Sequence, residues 1–191
     1  MALVLTAAPA VEPVTVDEAK AHLRIDHNDE DALLGSLIAT SRLHIEAALD
    51  LALVTQSWSW RLDAWPDDMA VALPLRPVQS VEAVQVTAAD GTVETLSSEK
   101  FLLNGANLRP RLLSRAGAWP RPGVPALGIE IAFTTGFGST ASDVPPPIRH
   151  SLLMLVAHWY EHRGSTEVGG ASARIPDTVS TLLAAYRKVR L

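Results

Sequence analysis

The sharpest chemical signal in this sequence is His158-Trp-Tyr-Glu161-His162. It has the spacing H-x-x-E-H, in which two histidines bind zinc and the glutamate acts as base. On a helix, residues four apart share a face, so both imidazoles could reach one ion. A catalytic zinc centre also needs a third protein ligand. Downstream, only Glu167 and Asp177 are of a suitable type; one lies in a Gly/Ser/Thr-rich stretch and the other at a helix start. A short pattern with three fixed positions also arises often by chance. The plainer reading is that these residues end a core helix, with the histidines facing solvent or a neighbouring subunit. A zinc hydrolase built on His158, Glu161 and His162 is therefore the lesser alternative.

Other catalytic patterns are weaker. The chain contains no cysteine, which removes disulfides, thiolate zinc sites, iron–sulfur clusters and cysteine nucleophiles together. Serine, histidine and aspartate are present, but without a Gly-x-Ser-x-Gly nucleophile elbow. Gly164 to Gly170 is glycine-rich but lacks the Lys-Ser/Thr of a phosphate loop. Gly136-Phe-Gly138 reads as a turn. Trp58, Trp60 and Trp65 could form a platform for stacking bases, but the net charge of −5 argues against a protein that grips phosphates. They read better as β-core. No catalytic, cofactor-binding or metal-binding residue is assigned, and the expectation is a protein that is not an enzyme and needs no cofactor.

The charge is unevenly spread. Residues 1–50 hold nine acids against three bases, whereas residues 101–125 hold Arg109, Arg111, Arg115 and Arg121 with no acid. The chain ends with Arg187, Lys188 and Arg190. Such runs are usually solvated surface, but an acidic end facing a neighbour's basic end would also suit a head-to-tail ring.

The elements that must position these residues follow from pattern. Thr15-Val-Asp-Glu18 has the form of a capping box, opening a short helix to about Arg24. Asn28-Asp-Glu-Asp31 offers a second cap, with acids where the helix dipole favours them. Leu34, Leu37, Ile38, Ser41, Ile45, Ala48 and Leu49 then form one apolar stripe at helical spacing. From Val54 to Leu62 the period changes to two: Trp58, Trp60 and Leu62 fall on one face, and Ser57, Ser59 and Arg61 on the other. Further strands are expected at 70–73, 81–87, 92–96, 111–113 and 128–134, with a hairpin turn at Asp90-Gly91. Prolines at 74, 77, 110, 120, 122 and 125 keep these strands short.

Asp143-Val-Pro-Pro-Pro147 starts a helix with proline in its first turn, where the missing N–H costs nothing. From Leu152 to Ala157 it is apolar almost all round, as a buried central helix should be. A linker follows, and Ile175-Pro176-Asp177 opens a last helix with Val179, Leu182, Leu183, Tyr186 and Val189 on one side. A linker leading to a basic amphipathic helix is a common docking arrangement; packing on its own domain is the alternative. The order of helices, strands and helices makes the fold class α+β: a helical core with an inserted, mainly antiparallel β unit. The expected parts are an N-terminal helical part of the core (1–52), the β insertion (53–140), the central core helix (141–163), a flexible linker (164–173) and a C-terminal docking helix (174–191).

Met1 to Val11 is apolar but lacks the basic start of a secretory signal. No run approaches the length of a transmembrane helix, so no membrane partner is expected.

Taken together, several segments resemble the head–tail connector (adaptor) family of long-tailed phages and phage-derived gene transfer agents. The resemblance runs through Pro13-Val-Thr-Val-Asp-Glu-Ala-Lys-Ala-His-Leu-Arg-Ile-Asp26, Asp29-Glu-Asp-Ala-Leu-Leu34 and Thr55-Gln-Ser-Trp-Ser-Trp-Arg-Leu-Asp-Ala-Trp-Pro66. It continues in Leu73-Pro-Leu-Arg-Pro-Val-Gln-Ser-Val81, in the helix with Pro146-Pro-Ile-Arg149 and Ala157-His-Trp-Tyr-Glu161, and in Leu182-Leu-Ala-Ala-Tyr-Arg187. It is least marked over residues 97–125. The resemblance implies a virion structural protein forming a homo-oligomeric ring of twelve copies, assembled in the host cytoplasm and then held in the particle's neck. One face of the ring would sit on the portal protein at the capsid vertex and the other would receive a stopper or tail-completion protein. DNA would pass through the lumen without specific binding, which suits an acidic chain. The resemblance also implies that the C-terminal helix meets the portal, through Arg174, Leu182, Leu183, Tyr186, Arg187, Lys188 and Arg190. Another neck or tail-completion structural protein is the alternative within the same setting.

Overall fold

The structure is a computed structural model, describing residues 1–66, 70–105, 109–115, 117–162 and 176–187. The chain forms two compact units, one of Met1–Ala10 with Asp50–Phe137 and one of Val11–Leu49 with Gly138–Leu191. The first holds the described strands and the second the described α-helices, so the α+β class holds.

The β unit contains eight described strands: β1 (Ala2–Ala7), β2 (Gln56–Leu62), β3 (Ala70–Ala72), β4 (Val78–Thr87), β5 (Val93–Thr95), β6 (Phe101–Asn104), β7 (Arg111–Ser114) and β8 (Ile129–Thr135). They make a five-stranded sheet in the order β1-β2-β8-β4-β5 and a three-stranded sheet in the order β3-β7-β6. Every ladder is antiparallel. The period-two reading of β2 is correct in its faces. Trp58 pairs with Phe133 and Trp60 with Ile131, placing these side chains together on the core side. Phe133, Ile131, Ile129 and Val84 are buried there with Val71, Leu112 and Phe101 of the smaller sheet. At the β4–β5 hairpin, Gly91 has φ +84°, a conformation that glycine reaches without a Cβ penalty. Gly136 ends β8 at φ +134°, where a Cβ would lie 2.6 Å from the Thr55 nitrogen. Only glycine fits.

The helical unit has four described helices: α1 (Val16–Leu23), α2 (Asp31–Leu49), α3 (Pro146–Glu161) and α4 (Asp177–Leu183). The capping box forms as the sequence demands. The Glu18 amide donates to Thr15 Oγ1 at 3.1 Å, and the Thr15 amide donates to Glu18 Oε2 at 2.8 Å. Helix α1 stops at Arg24, which adopts a left-handed conformation with φ 60°. In α2 the buried stripe is Leu34, Ile38, Ser41, Ile45 and Leu49, while Ala48 is exposed. In α3, Pro146 and Pro147 occupy the first turn, and Ile148, Ser151, Leu152, Leu155 and Val156 are buried. The Ser151 hydroxyl donates to the Pro147 carbonyl at 2.8 Å, satisfying a polar group the core would otherwise penalise.

Two strands escape the sequence reading. Residues 1–10 belong with the β unit, although sequence places 1–52 in the helical part. Strand β1 pairs along β2, from Ala2 opposite Arg61 to Ala7 opposite Ser57. The N-terminal ammonium adds a salt bridge to Asp63 at 3.1 Å. Ala-Leu-Val-Leu-Thr-Ala carries no polar alternation, so it gives no strand period to read. Strand β6 is likewise unforeseen, because it pairs only with the short β7.

Candidate functional site

The H-x-x-E-H residues sit at the end of α3. Their rings approach, with His158 and His162 centroids 4.5 Å apart. The His162 Nδ1 atom is 2.7 Å from the His158 carbonyl oxygen, so this nitrogen is engaged by the helix's own backbone and must carry the proton there. Glu161 is exposed. Among the described residues, no group of three or more His, Cys, Asp or Glu side chains could hold a metal ion. Asp177 is exposed at the start of α4, and Glu167 lies outside the described residues. The neighbours of the pair serve packing instead. Trp159 meets His44 of α2 edge-on at 5.8 Å, and the Tyr160 hydroxyl donates to Glu30.

The three tryptophans weighed as a base platform serve the β unit. Trp58 and Trp60 pack on its core. Trp65 stacks on Trp119, with centroids 4.4 Å apart, and its indole N–H donates to the Pro120 carbonyl at 2.7 Å.

The C-terminal helix is the remaining candidate. Proline 176 fixes the chain just before α4, and Asp177 places a carboxylate in the first turn, where the dipole favours it. Val179 and Leu183 are buried. They line a cavity of about 160 Å³ with His44, Ile45, Ala48 and Leu49 of α2 and Leu155 of α3. So α4 packs on its own unit, and Leu183 is part of that packing. Leu182 and Tyr186 are half-buried, and Arg187, though exposed, stands at the rim of the same cavity. The linker 164–173, Arg174, Lys188 and Arg190 lie outside the described residues.

Four of the nine acids in residues 1–50 pair with Lys or Arg side chains within their own unit. Arg42 bridges Glu12 at 2.8 Å and Glu46 at 2.9 Å, and Lys20 reaches Asp31 at 3.0 Å. Arg149 of α3 pairs with Glu18 and donates to the Pro13 carbonyl at 2.9 Å. The Thr15 amide, with help from Arg149, holds the Glu18 carboxyl below its ordinary range. From sequence these acids read as solvated surface or as one side of a subunit contact; the pairs span up to 131 residues, and no local pattern announces them.

What remains is an α+β scaffold with a terminal helix packed on its own unit. Comparison with known proteins gives this scaffold its setting. Residues 13–100 match the family described as phage gp6-like head-tail connector protein. In overall structure the chain is similar to a chain in the neck of an empty GTA particle computed with C6 symmetry. That likeness has a TM-score of 0.86 and 28% identity, covering 100% of this chain and 97% of the other. The virion of a native gene transfer agent particle contains a chain matched with the same values. The neck of a native GTA particle computed with C12 symmetry contains one matched at TM-score 0.81, 28% identity and the same coverage. No curated protein matches. The chain is thus similar to head–tail connector (adaptor) proteins over residues 13–100, and to chains of gene transfer agent necks over its whole length.

Proposed function

We propose that this chain is a subunit of a homo-oligomeric ring in the neck of a phage-like particle, with twelve copies around a DNA channel. The observation that carries this is the full-length likeness to chains of gene transfer agent necks, one computed with C12 symmetry. The ring sits between the portal protein and a stopper or tail-completion protein, and acts by fit rather than catalysis. It assembles in the host cytoplasm before joining the particle. Among the described residues, no helix is long and apolar enough to cross a membrane.

Portal contact falls to the C-terminal segment: Arg174, Leu182, Tyr186, Arg187, Lys188 and Arg190, with Leu183 anchoring α4 to its own unit. The exposure of Arg187 beside half-buried Leu182 and Tyr186 supports this division. An apolar centre with a cationic rim is a common interface composition.

The test is to mix purified chain with portal and image the product by negative stain. A ring with portal-matching symmetry is expected. Absence of any ring on the portal would overturn the reading and favour another neck or tail-completion role. In the same preparation, metal analysis of the chain and of His162→Ala is expected to find no bound zinc and unchanged folding; stoichiometric zinc lost in the variant would revive the hydrolase alternative.

A further inference from the structure

Resting on the ring reading above, we propose that β1 is a seam between subunits, covered in the assembled ring by a second copy of this chain. Strand β1 is the outermost strand of the five-stranded sheet, so one side of its backbone has no strand partner among the described residues. Soluble proteins usually blunt such an edge with lysine, proline or a covering element. Ala2–Ala7 has neither lysine nor proline, and its one irregularity falls between Leu5 and Ala7.

The side chains point the same way. Leu3 lies opposite Trp60 and Leu5 opposite Trp58, and these tryptophans lie opposite Ile131 and Phe133. Leu3 and Leu5 therefore extend the sheet's apolar core face outwards, yet they are 37% and 43% exposed. Val4 on the other face is 46% exposed, and Met1 is 83% exposed. Leu127, 44% exposed, joins the start of the strand, because its amide and the Met1 ammonium both bind Asp63. Five of the nine exposed large hydrophobic residues described thus gather at one edge. Exposed apolar side chains gathered on both faces of one strand edge mark an interaction surface.

A second copy is the occupant these features fit. From Ala2 to Val11 there is no charged residue, and subunit interfaces of homo-oligomers are the more apolar kind. The opposite end of the same sheet, β5, is also open and exposed at all three residues. Each copy therefore carries two different open edges, and a ring built by rotation requires two different patches on each subunit.

Because the chain has no cysteine, Val4→Cys creates a single attachment point for a benzophenone-maleimide photocrosslinker. After assembly on the portal and irradiation, adducts of two copies of this chain are expected, and they should be absent without portal. Adducts to the portal alone, or none, would overturn the seam. In parallel, Leu3→Lys with Leu5→Lys is expected to leave a folded monomer with unchanged circular dichroism that no longer closes into rings. A double variant that forms rings as well as wild type would also overturn it. If wild type itself forms no ring, the connector-ring reading fails, and the seam with it; if wild type forms rings but crosslinks elsewhere, the seam alone fails.

Discussion

The β unit and the helical unit solve the same problem by different means. In the β unit, order comes from long-range ladders and from an apolar core shared by two sheets, with Phe133, Ile131 and Leu112 fully enclosed. Polar ties such as Ser59 and Arg61 to Glu130 lie along its strands, and its outer strand leaves apolar side chains, and backbone with no strand partner among the described residues, at the edge. In the helical unit, the buried stripes of α2 and α3 are fenced by ion pairs and caps that close the outside. Arg42 with Glu12 and Glu46, and Arg149 with Glu18, consume charge that would otherwise be offered to a partner. The helical unit's exposed large hydrophobics, Val11 and Leu43, are not in a strand, whereas Leu3, Val4 and Leu5 lie together on an open sheet edge. This difference is what the proposed seam on the β unit and the proposed portal contact at the helical unit's end both draw on.

The largest expected effect is in the β core. Phe133→Ala should cost about 3–5 kcal/mol, since a fully enclosed ring leaves a cavity that two sheets cannot collapse. Denaturant unfolding followed by tryptophan fluorescence measures this, because Trp58, Trp60, Trp65 and Trp119 all belong to that unit. A loss under about 1 kcal/mol would show that the sheets repack and that the contrast is overstated.

Next comes the helical unit. Leu183→Ala should cost about 2–4 kcal/mol and speed amide exchange across Val179–Leu183 selectively, because Leu183 is buried beside the cavity formed with α2 and α3. Arg187→Ala, at the exposed rim of that cavity, should speed exchange less than Leu183→Ala while weakening portal binding. Equal exchange in both variants would mean that α4 is not held through Leu183.

The cap is smaller. Thr15→Ala should cost about 1 kcal/mol, read from the urea midpoint. The same box sets an acid dependence. The Glu18 carboxyl is held below its ordinary value of 4.5 in the folded chain, so its contribution is complete above pH 4.5 and lost as pH falls through the lowered value. Glu18→Gln should flatten stability in that window; an unchanged acid profile would show that other carboxylates dominate.

The smallest effect sharpens the contrast most. Leu3→Ser with Leu5→Ser should change the stability of the isolated chain by no more than about 0.5 kcal/mol per site, as for exposed positions generally. A loss of several kcal/mol would mean that β1 is core rather than edge.

Much of the helical unit is legible in sequence because its signals are local. Thr15 and Glu18 are three residues apart, the stripe of α2 repeats at helical spacing, and Pro146 and Pro147 mark where α3 begins. Strand β2 is legible for the same reason, since its alternation names the face that Phe133 and Ile131 meet. The candidate site is legible only in part. The stripe of α4 shows in Val179 and Leu183, but which leucine anchors and which remains accessible depends on where α2 and α3 stand.

By itself, the sequence determined the α+β class, the helix starts, the faces of β2 and the family resemblance, since each rests on neighbours in the chain or on motif order. Only the tertiary structure decided that residues 2–7 form a sheet edge, that Leu183 is buried while Leu182 is half-buried, and that Glu12, Glu18, Asp31 and Glu46 find cationic partners. These outcomes depend on contacts between residues far apart in sequence, such as Leu3 with Trp60 or Glu18 with Arg149. Spacing carries no record of such contacts, because they are chosen by packing once the local elements exist.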